Sequence, residues 1–293
     1  MNHNEAVSFI WGVADLLRDS FKRGKYQDVI LPLTVLRRID SVLAPTKPKV
    51  LEENAKYAGK LDNLDPLLRK ASGYAFYNTS RYDFERLVAD PPNLAANLRN
   101  YIAGFSPNMR EVIEKFDFDN TITKLVEADL LFLVMERFKN VDLSPASIDN
   151  HAMGTVFEEL IRKFNEALNE NPGEHFTPRD VVSLMVDLMI ASDEARLAEP
   201  GRVVKVYDPC CGSGGLLTIT KEHIHAKIGP EVGVVLFGQE VNPETFAVAK
   251  SDMYLNDPAG RDADNIAFGT VLGDDRHKGV HFDYVIANPP YGK

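Results

Sequence analysis

Cysteine is nearly absent: the 293 residues hold two, Cys210 and Cys211, adjacent in the chain. No Cys-x-x-Cys pair or His/Cys cluster has zinc-ligand spacing, and the seven histidines form no metal constellation, so no metal site is expected. A reducing cytoplasm fits this cysteine usage best. Long apolar runs are missing too. None reaches the roughly 18 residues that span a bilayer, so no membrane association is expected. The start Met1-Asn2-His3-Asn4-Glu5 lacks the basic opening and apolar core of a secretory signal. Positive charge is also short, with a net charge of −10. Phosphate neutralisation dominates affinity for nucleic acid. The balance therefore argues against a protein that grips nucleic acid alone, but not against one that borrows its grip from a partner. There is no internal repeat and no low-complexity tract.

What is present is ordinary globular material, 44% apolar and 26% charged. The length exceeds what one domain usually needs, so two are expected. Residues 1–145 read as an all-helical domain. Phe9, Val13, Leu16 and Leu17 follow helical spacing, as do Val29, Leu33, Leu36 and Ile39. Ser106-Pro107 reads as a cap followed by a first-turn proline, opening a helix through Phe116. Leu130, Leu131, Val134, Met135 and Phe138 mark another helix. The polar stretch from Val141 to Pro145 reads as a connection, and a helix is expected from about Ser147 to Leu168. Thr177-Pro178 repeats the cap-plus-proline pattern before Val181, Leu184, Met185 and Leu188.

Residues 146–293 form the second expected domain. From Val203 strands alternate with helices: strands at Val203–Tyr207, Val234–Gln239, Ile266–Phe268 and Phe282–Ala287, with helices from about Gly215 and from Asn242-Pro243 toward Asn256. This βαβαβ rhythm implies an α/β fold with a parallel, doubly wound, Rossmann-like sheet.

Three segments carry chemistry, and each follows a strand. Asp208-Pro209-Cys210-Cys211-Gly212-Ser213-Gly214-Gly215 leaves strand one and opens a helix. Glycines let a ligand approach the backbone, and the helix amides face it. The spacing is not Gly-x-Gly-x-x-Gly, and an acid opens the loop. Asp208 would repel a pyrophosphate and suits a ligand carrying an amino group and a sulfonium. The bland alternative is a tight turn. Glu240 ends strand two, 32 residues after Asp208, where an acid accepts hydrogen bonds from ribose hydroxyls. It could equally be a solvated glutamate. Asn288-Pro289-Pro290-Tyr291 follows strand four. The prolines stiffen the backbone, so the Asn288 side chain and the Pro289 carbonyl can accept both hydrogens of one amino group, and Tyr291 offers a ring for an extruded base. The expected reaction is a direct displacement at a sulfonium methyl, with no covalent enzyme intermediate.

Pro209 and the paired glycines resemble the first motif of class I S-adenosylmethionine methyltransferases, in the adenine-N6 form. Asn-Pro-Pro-Tyr is shared with methyltransferases of release-factor glutamine and of RNA, so it specifies the nitrogen better than the macromolecule. A wider resemblance, to the modification subunit of type I restriction-modification systems, rests on Glu174-His175-Phe176-Thr177-Pro178-Arg179, on Leu31-Pro32-Leu33 through Leu36-Arg37-Arg38-Ile39, on Ala75 to Ser80, and on Phe157-Glu158-Glu159-Leu160-Ile161 with Phe164. It spans nearly the whole chain, in the family's order. The resemblance implies a DNA adenine-N6 methyltransferase with S-adenosylmethionine as cofactor, and it implies that Glu174 to Arg179 folds over the cofactor's methionine end. A residue after strand three would meet the cofactor's adenine. The family shows an acid or Asn where this chain has Thr270, with acids displaced to Asp274 and Asp275, so Asp274 becomes the candidate.

The family further implies two modification subunits assembled with a DNA-specificity subunit, a restriction subunit that can join, and strands in the order 3-2-1-4 as the front of a seven-strand sheet. The chain is expected to be a fragment ending after strand four. Two other readings stay open: an N-methyltransferase of protein or RNA, and a non-catalytic module that binds the specificity partner.

Overall fold

A computed structural model describes residues 3–167 and 177–290. Two compact units emerge. One comprises Met1–Glu170 with Tyr254–Ala259, the other Asn171–Met253 with Gly260–Lys293.

The first unit is helical. Its central helix, α1 (Gln27–Leu43), buries Val29, Ile30, Leu33, Leu36 and Ile39. This is the expected stripe at helical spacing, and it packs against α2 (Leu131–Lys139), α3 (Asn150–Ala167) and the helix Phe118–Glu127. Phe9, Val13 and Leu17 do not share one helix. Gly12 separates His3–Trp11 from Val13–Leu17, and Leu16 is left exposed. The Ser106-Pro107 helix runs Pro107–Glu114, with Ser106 at the cap position. Its hydroxyl donates to Asn108 Oδ1 at 2.7 Å rather than capping the helix amides.

The connection after α2 is not a solvated linker. Val141 and Leu143 are fully buried, and two consecutive arginines of α1 hold the backbone around them. Arg37 donates to the carbonyls of Lys139 (3.1 Å) and Val141 (2.9 Å). Arg38, itself fully buried, donates to the carbonyls of Leu143 (2.5 Å) and Ile148 (2.8 Å) and to Asn150 Oδ1 (2.7 Å). A buried guanidinium is tolerated when most of its donors are spent, as those of both terminal nitrogens are here. Irregular backbone buried in a core needs such donors for its carbonyls.

The second unit carries a four-stranded parallel sheet in the order β3-β2-β1-β4: β1 (Val203–Asp208), β2 (Gly233–Glu240), β3 (Ile266–Phe268) and β4 (Tyr284–Val285). This is the expected order and the α/β class. Val204, Val206, Val234 and Leu236 are buried, and α5 (Gly215–Lys227) packs against both central strands. α4 (Arg179–Ile190) packs in turn on α5, where Asp187 meets His223 at 3.0 Å and Lys227 at 2.8 Å. The other central-strand residues meet an aromatic cluster: Tyr207 stacks on Phe282 at 4.4 Å, and Phe237 and His277 join edge-on. α6 (Pro243–Asn256) opens as expected, with Asn242 Oδ1 accepting from the amides of Glu244 and Thr245 at 3.0 Å each.

Two local departures have clear causes. β4 is two residues long rather than six. The Asp283 carboxylate takes the Lys205 amide that a longer ladder would use (3.0 Å), and Pro289 and Pro290 have no N–H to offer. α4 starts at Arg179, with Pro178 in the cap position, so Thr177 does not cap it. Its hydroxyl has another partner, described below.

Candidate active site at the carboxyl ends of the strands

The glycine loop is built by Asp208. One carboxylate oxygen of this buried residue accepts from the Cys210 amide at 3.0 Å, which turns the chain directly after the strand. Cys211 then donates its amide to the Gln239 carbonyl (3.0 Å) and its carbonyl accepts from the Gly214 amide (2.8 Å). Gly212 (φ 54°) and Gly214 (φ 85°) lie in the left-handed region. A Cβ on Gly212 would meet nothing within 4 Å, so the loop backbone there borders open space. A Cβ on Gly214 would lie 3.1 Å from Met253 Cε. Gly214 occupies the cap position of α5 without a side-chain cap, leaving the first amides of the helix for a ligand. Pro209 and Ser213 are half-buried members of the same turn, and Gly215 is the first residue of α5.

Glu240 ties β2 to this loop. One oxygen accepts from the Gly212 amide at 2.8 Å and the other from the Asn242 amide at 2.7 Å. Each carboxylate oxygen retains a second lone pair, so the residue can still receive a hydroxyl. Asp208 and Glu240 therefore end neighbouring strands of one sheet, Asp208 standing in register with Gly238. Burial pushes the Asp208 carboxyl up to about 7, and the nearby Glu240 charge adds to the shift. Two carboxyls crowded into a low-dielectric site suit a cationic ligand with hydroxyl donors. The thiols are inert. Burial and the Asp208 charge push Cys210 up to about 12 and Cys211 well above the ordinary thiol range.

Gln239 was missed by sequence reasoning. Fully buried, it donates to the Asp274 carbonyl (2.8 Å) and accepts from the Arg276 amide (3.1 Å), fixing the loop after β3. The signal was there: an amide directly before Glu240 in an otherwise apolar strand. Asp274 is thus held through its backbone, while its exposed carboxylate pairs with Arg276 at 2.8 Å. It makes no hydrogen bond to the Asp208–Glu240 pair.

The last motif lies beside the loop. The Ile286 amide bonds the Tyr207 carbonyl at 3.0 Å, which brings the exit of β4 alongside that of β1. Half-buried Asn288 donates its side-chain amide to Thr177 Oγ1 at 3.0 Å. Thr177, Pro178 and Arg179 therefore reach the strand ends at the front of α4, while Pro289 and Pro290 are exposed. Glu174, His175, Phe176 and Tyr291 lie outside the described residues. Among the described residues, no group of three or more His, Cys, Asp or Glu side chains could hold a metal, and no helix is long and apolar enough to cross a membrane.

Comparison with known proteins agrees along the whole chain. Residues 148–293 match the N-6 DNA methylase family and residues 6–138 the HsdM N-terminal domain. The methylase subunit of the type I restriction enzyme MjaIX of Methanocaldococcus jannaschii is 23% identical over 298 residues, covering 96% of this chain and 50% of its own length. The HindI methylase subunit of Haemophilus influenzae is 34% identical over 145 residues, 47% of this chain and 29% of its own. The crystal structure of a type I restriction-modification methyltransferase subunit from Streptococcus thermophilus shares the fold, with a TM-score of 0.71 at 22% identity, covering 99% of this chain and 64% of that one. The chain spans about half the length, or less, of the curated relatives it matches. With a methylase domain behind a helical HsdM-type front, the chain belongs to the N-6 DNA methylase family, in its type I restriction-modification branch.

Proposed function

We propose that this chain carries the cofactor site and the catalytic motif of a type I modification subunit, which methylates adenine N6 in DNA from S-adenosylmethionine. One observation carries the reading: Asp208, Glu240 and Asn288 stand at the carboxyl ends of three neighbouring strands, where α/β sheets bind ligands. The residues present fit the cofactor. Asp208 offers a carboxyl to its cationic amino-acid end, Glu240 keeps lone pairs for ribose hydroxyls, and the open face of Gly212 admits it without a clash. When bound, it would supply an electrophilic sulfonium methyl to the amine nitrogen, the sulfonium leaving as a neutral thioether and the amine proton going to solvent.

The chain's own part is positioning, which supplies much of the rate in bimolecular steps. Asn288 and the Pro289 carbonyl accept the two hydrogens of the target amino group and aim its lone pair. Tyr291 stacks the extruded base. Pro209, Ser213, Gly214 and Gly215 shape the loop, and Glu174 to Arg179 is assigned to the same cofactor site, with Asp274 at its adenine end. A net charge of −10 fits a subunit whose DNA grip comes from a specificity subunit. A restriction subunit and a second modification subunit complete the proposed assembly.

The test uses the full-length subunit assembled with its specificity subunit on duplex DNA. Asn288→Ala should abolish methylation while leaving cofactor binding intact, and Asp208→Ala should abolish cofactor binding. Methylation by the Asn288→Ala assembly at the wild-type rate would overturn the reading, and so would transfer to a release factor or RNA in place of DNA.

A further inference from the structure

The Thr177-Pro178 pattern would have Thr177 cap α4, but the helix begins at Arg179 with Pro178 in the cap position. Thr177 Oγ1 instead accepts from Asn288 Nδ2, at 3.0 Å. Both residues are half-buried, which shields the bond from competing water. A carboxamide is planar, with its oxygen and its NH2 on opposite sides of one carbon. Committing the NH2 to Thr177 therefore decides where the oxygen points. The flipped amide would turn two donors toward a target amino group that is itself a donor, and such a group cannot be received by donors.

The two partners are held independently. α4 is fixed on α5 through Asp187, with His223 and Lys227. Past the other end of α4, Asp193 accepts from the Tyr284 hydroxyl at 2.8 Å and Arg196 pairs with Asp283 at 3.6 Å, so the helix and the segment of β4 run side by side in opposite directions. Asn288 follows β4, whose exit is fixed to Tyr207. The Thr177–Asn288 bond thus joins two elements that are already placed, and little ordering entropy is spent on it.

Resting on the function proposed above, we infer that Thr177 is a positioning residue for methyl transfer: its hydroxyl oxygen holds the Asn288 amide nitrogen, so that the Asn288 carbonyl oxygen is the end presented to the target amino group. This role acts on Asn288 and is separate from any contact of the segment with the cofactor.

The experiment measures single-turnover methylation of duplex DNA by the full-length subunit in complex with its specificity subunit, and S-adenosylmethionine binding by calorimetry. T177V keeps the shape and removes the acceptor, while T177S restores the acceptor on a smaller side chain. T177V should lower the single-turnover rate about tenfold or more with cofactor affinity within about twofold of wild type, and T177S should recover most of the rate. Any residual rate of N288A should not fall further when T177V is added, because the group it positions is gone. A T177V rate equal to wild type overturns the inference. So does a rate loss matched by weaker cofactor binding, or a T177S variant as slow as T177V. If T177V does not assemble, T177A takes its place under the same criteria. A wild-type assembly that methylates no DNA amino group overturns the functional reading and this inference together, whereas an active wild type with an unaffected T177V overturns this inference alone.

Discussion

Asp208 should make the protein less stable as the pH rises, and removing its charge should reverse that. Its carboxyl is buried at the end of β1, held by the amide of Cys210 and faced by Glu240. Together these push it from 3.8 up to about 7. The native state therefore binds a proton that the unfolded chain has already released between these two values. Stability then falls as pH rises through that window, and the full cost is present above about 7. At 1.36 kcal/mol per unit, the cost is of order 2 kcal/mol at about pH 5 and of order 4 kcal/mol at about pH 8. Asp208→Asn keeps the size of the side chain and the acceptor for Cys210 but carries no charge. Its stability relative to wild type should therefore grow by about 3 kcal/mol between about pH 5 and pH 8. Urea unfolding of both proteins across this range, followed by circular dichroism, measures the difference directly. A difference that stays flat with pH would show that Asp208 titrates as an ordinary carboxylate and would sink the argument.

Three further outcomes are expected. Cofactor binding should favour the ionised Asp208, so affinity should rise with pH up to about 7 and binding below that value should release a proton; calorimetry in buffers of different ionisation enthalpy reads the proton directly, and its absence would count against the contact. Gly238→Ala would place a Cβ 2.8 Å from Cys211 Sγ and 2.9 Å from Ile266 Cδ1, so it should destabilise the second unit by about 1–3 kcal/mol through overpacking; a thermal melt unchanged from wild type would contradict this. Arg38→Met should cost roughly 3 kcal/mol or more, because the Leu143 and Ile148 carbonyls and Asn150 lose charged donors in the core; a loss below about 1 kcal/mol in urea unfolding would show that water replaces the guanidinium.

Much of the second unit was legible from local pattern, because its signals are short in range. Strand-glycine loop-helix, an acid at the end of the next strand, and a rigid Asn-Pro-Pro after the last one each lie within a few residues. A parallel sheet then brings their carboxyl ends to one edge whatever the details. The cap at Asn242 follows from the same economy, whereas the strand order was implied by the family resemblance. The apolar stripe of α1 was equally plain.

What the chain alone did not reveal depends on partners far away in sequence. Val141 to Pro145 reads as a linker because its carbonyls are invisible in a side-chain pattern, yet Arg37 and Arg38, about a hundred residues earlier, satisfy them and draw the segment into the core. Thr177-Pro178 reads as a helix cap, but its hydroxyl is claimed by Asn288, 111 residues away. β4 reads as six residues by its apolar content, but the Asp283 carboxylate takes the Lys205 amide that would extend its ladder. Gln239 reads as a strand end and turns out to fix the loop after β3. The sequence by itself determined which residues form elements and which ends of those elements carry chemistry, since both are set by spacing along the chain. Only the tertiary structure decided which hydrogen-bonding groups meet, because a donor's partner is chosen by the folded geometry and leaves no periodic trace in the sequence.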